Sequence, residues 1–345
     1  MTKNIILAAL LIGGLTGAAR ADEGANIESL DQRVKVLERQ LEIQKEDADA
    51  KKPTAVTLNT TPSGGFAFYN PDKTWGLKLS GVLQADTRNY LEDQAFPQTN
   101  SLLPRRARLQ IDANLGPKAR LRIQHDFVGG LVDAYGELKL ASFATARVGL
   151  FKTPLSLERW RSDPARDWVE LGYVAGLVTD RDTGAWLELA DADQAILFGA
   201  GVFNGSTDTG SVITADTNDD KDAVAKLFIH PFRFTDGVLL RDLGFGVAGS
   251  VGEHVGSALP SYKSIGQATI YSLSGTAKVS ALGIGSGYRI VPQAYFYFES
   301  LSFLGEYIRS GQSYSFKAQD FFISQEAYDL QLGWVITGED AAFKV

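Results

Sequence analysis

The 345-residue chain has no cysteine. Disulfides, thiolate zinc sites and thiol nucleophiles are therefore excluded. A chain of this length buries enough surface to form a core without disulfides, even in an oxidising compartment. Histidine occurs only three times, at His125, His230 and His254, with no ligand-like spacing. Past the N-terminus no long apolar run exists, and a spanning helix needs roughly 20 such residues. Basic residues are outnumbered, 34 Lys and Arg against 41 Asp and Glu, for a net charge of −7. That balance argues against nucleic acid as a partner. It leaves open an anion path, because local charge can oppose the total.

At the N-terminus, Lys3 precedes an uncharged, mostly apolar run from Ile5 to Leu15, and Ala19-Arg20-Ala21 has the small-x-small form of a cleavage site. The run is too short to span a bilayer, so residues 1–21 read as a signal peptide, with a buried N-terminal helix as the alternative. Next, Ile27, Leu30, Val34, Leu37 and Leu41 recur at intervals of three and four, an a/d seam among charged neighbours. Residues 22–45 thus predict a short coiled-coil helix, marginal alone and sensible when several copies meet. An amphipathic helix folded onto its own domain is the competing reading. Residues 46–63, polar and then rich in Thr and Pro, read as a linker.

From 64 to 345 the period becomes two. In Gly76–Tyr90, Leu77, Leu79, Leu83 and Ala85 oppose Lys78, Ser80, Gln84, Asp86 and Arg88. In Arg105–Leu115, Ala107, Leu109, Ile111 and Ala113 oppose Arg106, Arg108, Gln110 and Asp112. The next two segments repeat the pattern, with Arg120, Arg122, Gln124 and Asp126, then Asp133, Glu137 and Lys139, on the polar face. These are strands charged on one face and apolar on the other. About twelve are predicted, at 75–90, 103–115, 118–128, 132–140, 145–152, 183–190, 195–205, 223–231, 239–252, 287–298, 301–311 and 324–337. Connections are short at Gly116-Pro117, Ser142–Ala144, Asp191–Gln194 and Glu299-Ser300. They are long at Leu91–Leu102, Thr153–Arg181, Ser206–Asp222 and Glu253–Ser286, and Gly129–Leu131 breaks the alternation. Short turns on one side and long loops on the other are the pattern of an antiparallel transmembrane β-barrel, with the short turns periplasmic.

Several segments, in this order, resemble the phosphate-selective porin O and P family. They are Leu103-Pro104-Arg105-Arg106-Ala107-Arg108-Leu109, Asp133-Ala134-Tyr135, and Gly149-Leu150-Phe151-Lys152-Thr153-Pro154-Leu155-Ser156-Leu157-Glu158. Further on come Val202-Phe203-Asn204-Gly205, Asn218-Asp219-Asp220-Lys221-Asp222, Leu259-Pro260-Ser261-Tyr262, Leu304-Gly305-Glu306-Tyr307 and Val335-Ile336-Thr337-Gly338-Glu339. The resemblance runs from about Gly65 to Val345. It implies a homotrimeric, 16-stranded outer-membrane barrel, narrowed by its third loop and passing small anions, phosphate in some members. Against that pattern about twelve strands are fewer than sixteen, so the resemblance predicts a chain shortened at its C-terminus. Phe343 is followed by Lys344 and Val345, without the terminal aromatic residue of such barrels.

The candidates for an anion pathway are Arg106, Arg108, Arg120, Arg122 and Arg147 by strand phase, Lys152 at a strand–loop junction, and Arg159, Arg161 and Arg166 in the third loop. Guanidinium forks suit oxyanions. The alternative is that Asp112, Asp126 and Asp133 pair with these arginines and brace the wall. No enzyme and no cofactor are expected. Ala248-Gly249-Ser250-Val251-Gly252 resembles a nucleophile elbow, but no His follows His254 to complete a triad. Asp216, Asn218, Asp220 and Asp222 resemble a calcium loop, but Lys221 and Leu227 stand where Gly and Glu are needed. The expected partners are other copies of the chain, outer-membrane lipid and small anions. The rival is a non-conducting barrel that anchors an envelope tether through the coiled coil.

Overall fold

The computed structural model describes residues 31–43, 57–60, 65–91, 98–208, 219–235, 239–254, 260–264, 267–272, 282–316 and 319–343. The expected signal peptide, Ile27 and Leu30 of the seam, most of the linker and part of the calcium-like loop lie outside them. The chain divides into two units, Met1–Ala55 and Val56–Val345. In the first, residues 31–43 form a helix, α1. Its described residues are all exposed, including Val34, Leu37 and Leu41 of the seam. Two intrahelical ion pairs, Lys35–Asp31 at 2.7 Å and Arg39–Glu42 at 2.9 Å, add only a few tenths of a kcal/mol each.

The second unit is an antiparallel meander. Its strands are β1 (Thr57–Thr60), β2 (Phe66–Tyr69), β3 (Trp75–Arg88), β4 (Ser101–Leu115), β5 (Ala119–Asp126), β6 (Gly130–Ala141) and β7 (Ala144–Lys152). They continue with β8 (Arg181–Ala190), β9 (Ile196–Phe203), β10 (Asp222–Ile229) and β11 (Gly244–Glu253). A separate hairpin follows, β12 (Ser261–Lys263) with β13 (Thr269–Ser272), and then β14 (Leu282–Phe298), β15 (Leu301–Phe316) and β16 (Gln319–Trp334). All but the hairpin form one 14-stranded sheet in sequence order, from β1 to β16. Among the described residues no ladder joins β16 to β1. No described helix is long and apolar enough to cross a membrane.

All twelve expected strands are present, but the sheet has fourteen: β1 and β2 were not expected, nor was the β12–β13 hairpin within the long connection before β14, and several bounds move. Thr57–Thr60, read as linker, is a strand, so the sheet begins before residue 64. Its Thr-Leu-Asn-Thr sequence is too short for alternation to show. The strand expected from 239 starts at Gly244, because 239–243 form a turn held by an Arg233–Asp242 ion pair. β15 and β16 run on to Phe316 and Gln319, so a tight hairpin replaces the expected gap between 311 and 324.

The faces follow the alternation. Leu83, Leu109, Leu121, Leu138, Val148, Leu187, Val202, Leu227, Val247, Ile290, Leu330 and Leu332 are exposed on the outer face. The other face is buried because the sheet curls round the connection between β7 and β8. That connection touches Arg105 and Arg106 of β4 and also Glu306 of β15. Inward aromatic rings lie across glycines of the next strand. Gly149 opposes Tyr135, has φ of +130°, and a Cβ there would strike the Tyr135 backbone. At Gly199 a Cβ would strike the Trp186 indole.

Candidate functional site

The connection from Thr153 to Asp180 folds inward. Its ends are pinned by the Thr153 hydroxyl donating to the Thr179 carbonyl at 2.8 Å. Ser156 caps the short helix α2 (Leu157–Trp160), its hydroxyl accepting from the Arg159 N–H. The Glu306 carboxylate accepts three bonds from this turn: the Ser156 hydroxyl at 3.2 Å, Leu157 N–H at 2.8 Å and Glu158 N–H at 2.5 Å. Gln293 of β14 donates to the Leu155 carbonyl at 3.0 Å.

Apolar packing fixes the side on which the loop lies. Leu155, Val174, Leu177 and Val178 form one core with Phe151, Trp186, Phe203, Val224, Ala248, Val291 and Ile308. These partners are inward residues of β7 to β11, β14 and β15. The opposite wall, β3 to β6, carries mostly polar and charged residues inward, and Tyr135 of β6 is its contact with the loop core among the described residues. Between that wall and the loop lies a cavity of about 550 Å³. Its lining carries Lys78, Arg108, Arg122, Arg147, Lys152 and Arg181 against Asp112, Asp133 and Asp163. Basic side chains therefore outnumber acidic ones two to one, the reverse of the chain's overall balance.

Of the sequence candidates, Arg108, Arg122, Arg147 and Lys152 line this cavity. Arg108 pairs with Asp126 at 2.9 Å and with Asp163, Arg122 with Asp112 at 2.6 Å, and Arg147 with Glu137 at 2.8 Å. Lys152 donates to the Arg161 carbonyl at 2.6 Å. Arg106, Arg159, Arg161 and Arg166 are buried in ion pairs with Glu170, Asp180, Asp167 and Asp163 respectively. They hold the loop in shape and to β4. Arg120 is exposed near the end of the polar wall. The pairing weighed as bracing is thus present at Asp112 and Asp126, while Asp133 takes Arg181 at 2.9 Å. Pairing does not remove the positive excess along the lining.

Sequence reading missed Arg105. Strict alternation sends it outward, yet it reaches Glu170 at 2.6 Å. A β-bulge explains this: Gln84 pairs with Arg106 and Ala85 with Pro104, leaving Arg105 as the extra residue. A bulge places two consecutive side chains on one face, and Pro104, which has no N–H to give a ladder, is a signal that could have located it.

The loop's charges are settled by neighbours. Burial would raise the Asp163 carboxyl, but Arg166, Lys152, Arg108 and Arg106 outweigh it and hold it down to about 2. Burial likewise opposes ionisation of Glu170, which the Arg105 and Arg106 guanidiniums nonetheless keep below the usual range. Glu158 goes the other way. Burial, with Asp329 and Glu306 nearby, pushes it up to about 7 despite a hydrogen bond from Gly172 N–H. Among the described residues no group of three or more His, Cys, Asp or Glu could hold a metal ion. The chain matches no known family model and no curated protein.

Proposed function

We propose that this chain is an outer-membrane porin of the phosphate-selective porin O and P type, passing small anions by diffusion through the space beside its inward loop. The observation that carries this reading is the inversion of the sheet's faces. Its exposed face is apolar strand after strand, while its interior holds paired charges and a basic-lined cavity. A water-soluble sheet buries its apolar face, whereas a barrel in lipid must present it outward and close to satisfy its backbone. In the membrane the edges of β1 and β16 must therefore be covered, by each other or by other strands, since each unpaired group costs several kcal/mol.

In this reading the cavity lies along the conduction path and its basic excess favours anions, as rings of one sign do in channels. The exposed seam of α1 joins copies into a homotrimer in the periplasm. The test is the reversal potential of the full chain in planar bilayers under a potassium chloride gradient. The expected sign is that of chloride moving faster than potassium. Folded protein that stays silent, or that prefers cations, overturns the proposal; silence supports the anchor reading.

A further inference from the structure

We infer that the preferred solute is an organic monoanion with a flat apolar body, an aromatic carboxylate, rather than inorganic phosphate. This inference rests on the porin reading and names its substrate class. Part of the cavity wall is apolar: Val82, Tyr135, Phe151 and Trp160 line it together with the basic residues. A phosphate ion would lose hydration along such a wall and gain nothing from it. A benzene ring gains contact area and ring–ring attraction there.

The donors on offer also suit one carboxylate. Phosphate is best held by several guanidiniums with uncommitted N–H groups, but here most face carboxylates already. Arg147 spends Nε and one Nη on Glu137, and Arg181 spends Nε on Asp133 and one Nη on Asp180. Arg122 is the exception. Only its Nε is bonded, to Asp112, so both Nη groups are uncommitted among the described residues. It is also the most exposed of the paired cavity guanidiniums, with 34% of its side chain accessible. Its cross-strand partner is Tyr135, whose ring it overlies at 5.8 Å. Two Nη donors beside an aromatic face match a carboxylate attached to a ring. Arg147 lies 4.9 Å from the Tyr135 ring centre and 5.9 Å from Trp160, so cations alternate with rings along the wall. That sequence of surfaces accepts an aromatic anion by cation–π contact and stacking at once.

Acetate and benzoate share the charged group and differ in the body, so their permeability ratio isolates the apolar contribution. With the full chain in planar bilayers, bi-ionic potentials are measured for chloride against acetate, benzoate and phosphate in turn. Benzoate is expected to exceed both acetate and phosphate, although it diffuses more slowly in water. Trp160→Ala should lower the benzoate-to-acetate ratio roughly two- to tenfold, the value of one aromatic contact, and Trp160→Phe should keep it. Phosphate exceeding benzoate, or a ratio indifferent to Trp160→Ala, overturns the inference while anion selectivity leaves the porin reading standing. Benzoate binding to the folded chain in detergent, followed by tryptophan fluorescence, separates the other failure. Binding that Trp160→Ala weakens, in a chain silent in bilayers, keeps the site and removes diffusion; silence without binding removes both.

Discussion

At Glu158 a single side chain sets a pH dependence. Its carboxylate is buried, accepts among the described residues only from Gly172 N–H, and faces Glu306, Asp329, Arg161 and Arg166. The folded chain therefore holds the Glu158 proton up to about pH 7, whereas the unfolded chain releases it near the ordinary glutamate value. Between those two values the folded state binds more protons, so stability falls as pH rises and levels off above about 7. The loss is on the order of 3–4 kcal/mol at most. Glu158→Gln should flatten that slope and raise the denaturation midpoint at pH 8 while changing it little at pH 4. Comparing variant and parent at each pH cancels every other titrating group. A parent whose stability rises between pH 5 and 7 relative to the variant would contradict this account. Asp163 does not titrate in the same window, because four cations hold it down to about 2.

At the scale of elements, the inward loop depends on one carboxylate from the far wall. Glu306 satisfies two N–H groups at the start of α2 and the Ser156 hydroxyl. Glu306→Ala strands those buried donors, at roughly 1–3 kcal/mol for each one left unsatisfied. The turn should lift from β15 and widen the passage, so single-channel conductance should increase. Unchanged conductance with the variant folded would show that the loop does not narrow the path. The helix α1 is independent of this. Val34, Leu37 and Leu41 are exposed on it, and a helix this short gains most of its stability from partners. Leu37→Asp should abolish self-association of the 22–50 peptide and weaken the oligomer of the full chain, as read by sedimentation. A variant that associates as the parent does would remove the coiled coil from the assembly.

Over the whole molecule, charge is arranged against its own total. The chain is net acidic, yet basic residues dominate the cavity lining. The acidic excess therefore lies elsewhere, and distant charges are screened beyond about 10 Å at 0.1 M salt. Partly buried cations across a narrow cavity are screened less. Anion selectivity should thus fall between 0.1 M and 3 M potassium chloride at a fixed gradient ratio, as reversal potentials moving towards zero, without changing sign. A reversal of sign with salt would place the selective charges outside this cavity. The asymmetry of the interior follows from packing: β7 to β11, β14 and β15 give apolar residues to the loop core, and the basic-lined cavity lies along β3 to β7.

Alternation in the sequence located twelve of the strands and, Arg105 apart, the outward and inward sets on β3 to β6, because period two is a local property of an extended chain. Arg108, Arg122 and Arg147 were legible as inward residues for that reason, Lys152 only as the residue at a strand–loop junction, and the third loop by its length. Their partners were not legible. Arg181 reaches Asp133 from 48 positions away in sequence, and Glu170 reaches Arg105 and Arg106 from 65 and 64. Only the curl of the sheet brings them together. Arg105 turned inward because one extra residue in β4 shifts the register, a change that pattern reading takes as noise. Nor did the pattern show where the loop lies. β10, with Val224 and Phe228 inward as well as Ala223, Ala225 and Leu227 outward, has apolar residues on both faces. Local alternation treats that as a weak strand; tertiary packing makes it the wall on which the loop core rests.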